Sequence, residues 1–142
     1  MAFAPSPHSD VGLPHPALKA ILACDQIIEE AGTGRLTLVR LLDRVTASEF
    51  PFDYVRGVTV YVRITDAAGE YAMRMEVVRL HDEETIGEGD AMITAPDRMT
   101  PHEFTFDVPA IPCERAGACE FRLFANGRFV GAAVLLVDEE AA

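Results

Sequence analysis

Two neighbouring stretches constrain this chain more than anything else in it. "VTVYVRIT" (Val58–Thr65) and "EYAMRMEVV" (Glu70–Val78) both alternate apolar and polar residues, separated by the turn-like "DAAG". Alternation with a period of two sends successive side chains to opposite faces of a strand, whereas a helix would scatter the same residues around its axis. Val58, Val60, Val62 and Ile64 fall on one face of the first stretch, and Tyr71, Met73, Met75 and Val77 on one face of the second. The pattern predicts an antiparallel hairpin pairing Ile64 with Tyr71, Val62 with Met73, Val60 with Met75 and Val58 with Val77. Its other face would be wettable, with Tyr61 opposite Arg74 as a cation–π surface pair.

The same reasoning extends along the chain. "LKAILACDQIIEE" and "RLTLVRLLDRV" flank "GTG" and read as a second hairpin, although Ile21, Cys24, Ile27 and Ile28 also sit at helical spacing. "TPHEFTFDVPAIP" gives a strand with Phe104, Phe106 and Val108 on one side, ended by Pro109 and Pro112, and a short edge strand is expected near Ala91–Thr94. "EFRLFANGRFVGAAVLLV" carries Asn126-Gly127, the dipeptide suited to a type I′ turn because both central residues need positive φ. Regular pairing about that turn matches Ala125 with Arg128, Leu123 with Val130, Phe121 with Ala132 and Cys119 with Val134 on an apolar face. Phe124 then meets Phe129, Arg122 meets Gly131 and Ala118 meets Leu135 on the other. Two readings of that aromatic pair stand: neighbouring segments cover it, or Phe124, Phe129, Leu135 and Arg122 form a partner or self-association surface.

These segments amount to an all-β chain, an antiparallel β-sandwich of about seven or eight strands. With 142 residues and 49% hydrophobic content the chain fits one domain with one core. The expected layout is a disordered Pro-rich tail over residues 1–17, a single sandwich over 18–138 and an acidic tip over 139–142. The order "LACDQII…GRLTLVRLLDRV…VYVRITDAAGEY…PHEFTFDVP…GACEFRLFANGRFVG" resembles a family of small bacterial proteins known only as a domain of unknown function, across about Leu18 to Val137. The resemblance implies an immunoglobulin-like or C2-like sandwich and carries no activity with it. In such domains Gly-x-Tyr-x-Phe often opens the penultimate strand; here the phrase is Gly117-Ala118-Cys119-Glu120-Phe121, with Cys in place of the Tyr.

Charge narrows the partners. Acidic side chains number 23 against 12 basic ones, a net charge of −11, which repels nucleic acid and anionic membranes. Cys24, Cys113 and Cys119 do not make a disulfide framework, and with no signal-like start the expected location is a reducing cytoplasm. Catalytic patterns are sparse. The serines are Ser6, Ser9 and Ser48, none within a G-x-S-x-G elbow, and "GEGD" places acids where a phosphate loop needs donors. Cys113 and Cys119 are spaced wider than a zinc knuckle, with His81 and His102 as the other soft donors. The segment "HDEETIGEGD" offers Asp82, Glu83, Glu84, Glu88 and Asp90 as a candidate calcium loop, against a solvated charged loop. Asp25, in an apolar stretch, is expected to pair with Arg40.

The function expected from this reading is a non-enzymatic interaction or assembly module in a bacterial cytoplasm. It needs no cofactor and binds a protein partner or itself as a small homo-oligomer. The alternative is a calcium- or small-ligand-binding regulatory domain using the acidic 82–90 segment.

Overall fold

A computed structural model describes residues 12–140, and eleven β-strands with no helix account for the secondary structure there. Eight strands are long: β1 (Ala17–Glu29), β2 (Leu36–Leu41), β5 (Val58–Thr65), β6 (Gly69–Arg79), β7 (Glu84–Ala95), β8 (His102–Val108), β10 (Gly117–Ala125) and β11 (Arg128–Glu139). Three are short: β3 (Arg44–Ala47), β4 (Phe52–Tyr54) and β9 (Ile111–Cys113). The expected count of seven or eight therefore matches the long strands and misses the short ones, which are too brief to show alternation. One sheet has the order β2-β1-β5-β8, a second the order β3-β11-β10-β6-β7, and β4 pairs with β9. All pairings are antiparallel except that of β11 with β3, which is parallel. The architecture is an all-β fold consistent with a sandwich.

The predicted β1–β2 hairpin is present, with Ile28 opposite Thr37 and Cys24 opposite Leu41. The predicted β5–β6 hairpin is not. β5 pairs with β1 and β8, whereas β6 pairs with β10 and β7 in the other sheet. The "DAAG" segment arches from one layer to the other. Asp66 takes a positive φ of 59° and its N–H donates to the Arg98 carbonyl at 3.0 Å. The Tyr71 hydroxyl receives the Ala68 N–H at 3.1 Å and donates to the Pro14 carbonyl at 2.7 Å. Alternation did identify the buried faces: Val58, Val60, Val62, Ile64, Tyr71, Met73, Met75 and Val77 all lie in the core. Two strands with one apolar face each can satisfy that need side by side or face to face, and these two stack across the core. Tyr61 and Arg74 therefore lie in different sheets. Tyr61 hydrogen-bonds Glu103 on β8 instead.

Phe121 and Leu123 of β10 and Leu135 and Val137 of β11 complete the core. Of the expected N-terminal tail, residues 1–11 lie outside the described residues. Leu13 packs against the core, and His15 Nε2 lies 3.0 Å from the Phe129 carbonyl. At the other end Glu139 is part of β11 and the Glu140 N–H donates to the Ala47 carbonyl at 2.7 Å; residues 141–142 lie outside the described residues. No helix among the described residues is long and apolar enough to cross a membrane.

Candidate interaction face

The β10–β11 hairpin turns as its sequence predicts. Asn126 and Gly127 have φ of 49° and 83°, the pair of positive values a type I′ turn requires. The turn is also tied sideways to β6. The Asn126 N–H donates to the Ala72 carbonyl at 2.8 Å, and Asn126 Oδ1 accepts the Ala72 N–H at 2.9 Å.

Beyond the first two pairs the register departs from expectation. Phe124 meets Phe129, as predicted, but Leu123 meets Gly131 rather than Val130, so Val130 is the extra residue of a β-bulge. Every later residue of β11 changes face. Phe121 is opposite Ala133 and Cys119 is opposite Leu135, which is fully buried. Leu135 is thus a core residue and not part of an outer surface. Val134 and Leu136, expected inside, are outside and 46% and 37% exposed.

Two residues account for the bulge. Without it Asp138 would point into the core; with it Asp138 faces outward and meets Arg44 Nε at 2.8 Å. Gly131 in turn faces inward, and the Leu18 side chain occupies the space a β-carbon would need. The parity of Asp138 relative to Phe121 is the sequence signal that could have found this register.

The outer face of the five-stranded sheet then divides in two. Along β11 runs an apolar row of Phe129, Ala132, Val134 and Leu136, with Phe129 55% exposed. Phe124 and Phe129 form an edge-to-face pair with ring centroids 5.8 Å apart and planes at 67°. Phe124 is half-buried and Phe129 is open, so neighbouring segments cover the pair only in part.

Beside the row lies a lattice of ion pairs. Arg122 Nε donates to Glu120 at 2.6 Å and its Nη2 to Glu83 at 3.2 Å, so its charge is held within the sheet. Arg74 serves Glu76 and Asp90, each at 3.3 Å, and Glu88.

That lattice also takes up much of the acidic 82–90 segment. The connection after β6 is only Leu80–Glu83, and the rest of the acidic segment is strand β7. In "GEGD" the two glycines hold inward positions and Glu88 and Asp90 outward ones, opposite Glu76 and Arg74. Asp82 and Glu84 fold instead onto the buried Arg79, whose Nη2 lies 2.9 Å and 2.7 Å from their oxygens. The Arg79 hydrogen bond, against a smaller effect of burial, holds the Asp82 carboxyl down at about 2. Glu114 approaches Arg79 Nη1 at 3.6 Å. Asp82, Glu83, Glu84, Glu88 and Asp90 therefore do not converge, and no group of three or more metal-type donors is found among the described residues. The edge strand expected near Ala91–Thr94 is present but reaches back to Glu84, where glycine and acid in alternation carry no apolar signal.

The remaining candidates are structural. Cys113 and Cys119 are buried free thiols; desolvation, with Cys119 adding to it, pushes Cys113 up to about 11. The His102 ring lies 6.1 Å from that of Phe104 between centroids and tilted by 47°, and His81 Nε2 lies 3.7 Å from Asp82. Asp25 pairs with Arg40 at 3.7 Å, as expected, and more closely with Arg56 at 2.9 Å.

A model of a family of unknown function, DUF6941, matches residues 19–138. The chain belongs to that family. The match covers every strand from β2 to β10, all but the first two residues of β1 and all but the last of β11. The DUF6941 region thus includes the whole of the apolar row and its flanking ion pairs. No curated protein matches the chain.

Proposed function

We propose that this chain is a non-enzymatic assembly module, with an immunoglobulin-like or C2-like frame, that self-associates into a small homo-oligomer through the outer face of β10 and β11. The observation that carries the reading is the row Phe129, Val134 and Leu136, exposed side by side next to half-buried Phe124. Apolar side chains at the centre with paired charges around them is the arrangement of a protein–protein contact. The bordering arginines are already engaged by Glu83, Glu120, Glu76, Glu88 and Asp90, so they set a polar rim and leave the apolar row as the source of desolvated area. Free, buried Cys24, Cys113 and Cys119 suit a reducing bacterial cytoplasm.

Sedimentation velocity over a concentration series tests the reading. The wild type is expected to shift toward a dimer or small oligomer by about 100 µM, a weak-to-moderate affinity in free-energy terms. The Phe129→Ser/Val134→Ser variant should remain a monomer with its strand spectrum intact. A wild type that stays monomeric throughout, or a variant that assembles as readily, defeats it.

A further inference from the structure

The two sheets lie open to solvent along the side where β7 and β8 run. β7 ends the five-stranded sheet and β8 ends the four-stranded one, so each has one flank without a neighbouring strand. Between them is a cleft of about 210 Å³ lined by Met75 and Val77 of β6 and by Phe106 and Val108 of β8. Gly87 and Gly89 stand opposite Val77 and Met75 and occupy the inward positions of β7 there.

Those two glycines explain the opening. Neither has a positive φ, so backbone conformation does not demand glycine at either position. A β-carbon would also fit, at 3.6 Å from Val77 Cγ2 for Gly87 and 3.5 Å from Phe106 Cδ1 for Gly89. What the missing side chains leave is room beside the free edge of a strand.

The surrounding charge is one-sided. β7 and β8 contain no Lys or Arg, and they expose Glu84, Glu88, Asp90, Glu103 and Asp107. Arg74 is shared among Glu76, Glu88 and Asp90, and Arg63 and Tyr61 both engage Glu103, so carboxylates remain in excess.

We infer that β7 is a docking edge for an extended peptide with alternating apolar and basic residues, which adds as a sixth strand and seats an apolar side chain in the cleft at Gly87 and Gly89. Main-chain hydrogen bonds to the β7 edge supply affinity, and the cleft and the acidic rim supply selectivity. A second copy of this chain is the poorer occupant, because pairing β7 with β7 brings Glu88 and Asp90 against like charges. The edge lies at the far side of the sheet from β3 and β11 and goes beyond the assembly face proposed above.

Fluorescence anisotropy on the full chain tests the inference, using labelled nonapeptides with Lys at alternate positions and Val, Leu or Phe between them. Saturable binding is expected for at least one, weakened about tenfold or more by Gly89→Val in the protein. N-methylation of alternate peptide residues, or Glu in place of Lys, should weaken it as strongly. Gly87→Ala is the milder variant and should weaken binding in the same direction, and melting curves confirm that both variants fold. Three results overturn the inference. One is that no peptide of the set binds. Another is affinity unchanged by Gly89→Val and by N-methylation. The last is a concentration-dependent dimer of the wild type that Gly89→Val abolishes.

Discussion

Truncating Leu135 to alanine isolates the consequence of the β11 bulge. Leu135 has no exposed surface, so the lost side-chain carbons forfeit about 2.4 kcal/mol at roughly 0.8 kcal/mol per buried carbon. Leu135 stands opposite Cys119 and shares with Phe121 and Val137 a core that two hydrogen-bonded sheets keep from collapsing, so part of the vacated space persists. A residual cavity of about 40–60 Å³ adds about 1–1.5 kcal/mol, for a total of about 3.5–4 kcal/mol. That corresponds to a fall of about 10 °C in Tm for a chain of this length. The neighbouring Leu136 is 37% exposed and faces outward, and Leu136→Ala should cost about 1–1.5 kcal/mol with no cavity. Urea unfolding of both variants, with m-values compared to exclude a change in the unfolded state, reads the difference directly. Equal costs, or the reverse order, would refute the bulge and restore the regular register in which Leu136 is the buried residue.

Other outcomes follow from the same geometry. Asp82 is held at about 2 by Arg79, below its ordinary value of 3.8, so its contribution to stability is complete above about pH 4 and disappears as pH falls through 2. Tm measured from pH 5 downward should fall less steeply for Asp82→Asn than for the wild type, and parallel curves would show that the pair does not persist in solution. Burial raises all of the cysteine thiols, Cys113 to about 11, so a thiol reagent at about pH 8 should label the folded protein slowly and the guanidinium-unfolded protein fully. Rapid labelling of the folded protein would contradict their burial. Calcium at about 5 mM should leave Tm unchanged, since a site occupied well above its Kd would raise it measurably. A rise that saturates with calcium would mean the acidic residues rearrange away from Arg74 and Arg79.

Much of this molecule is legible in its sequence because a strand's in-or-out pattern is local. Two residues of separation return a side chain to the same face, so Val58 to Ile64 and Tyr71 to Val77 declare their buried side with no knowledge of neighbours. The Asn126-Gly127 turn is equally local, since positive φ at adjacent positions selects the residues. That Phe124 meets Phe129 follows from that turn and the two residues beside it, whereas how far each ring is covered does not.

Other features depend on distant parts of the chain. Whether β5 and β6 pair or stack is decided by β1, β8, β7 and β10, which compete for the same edges, and nothing within residues 58–78 records that competition. The bulge at Val130 depends on Leu18 reaching Gly131 and on Asp138 finding Arg44, contacts spanning most of the chain. The cleft beside Gly87 and Gly89 needs, besides those missing side chains, two sheet edges that end next to each other. Period and turn chemistry are properties of a few consecutive residues; choice of neighbour is a property of the whole packed chain, and it is there that tertiary structure decided which surfaces this protein presents.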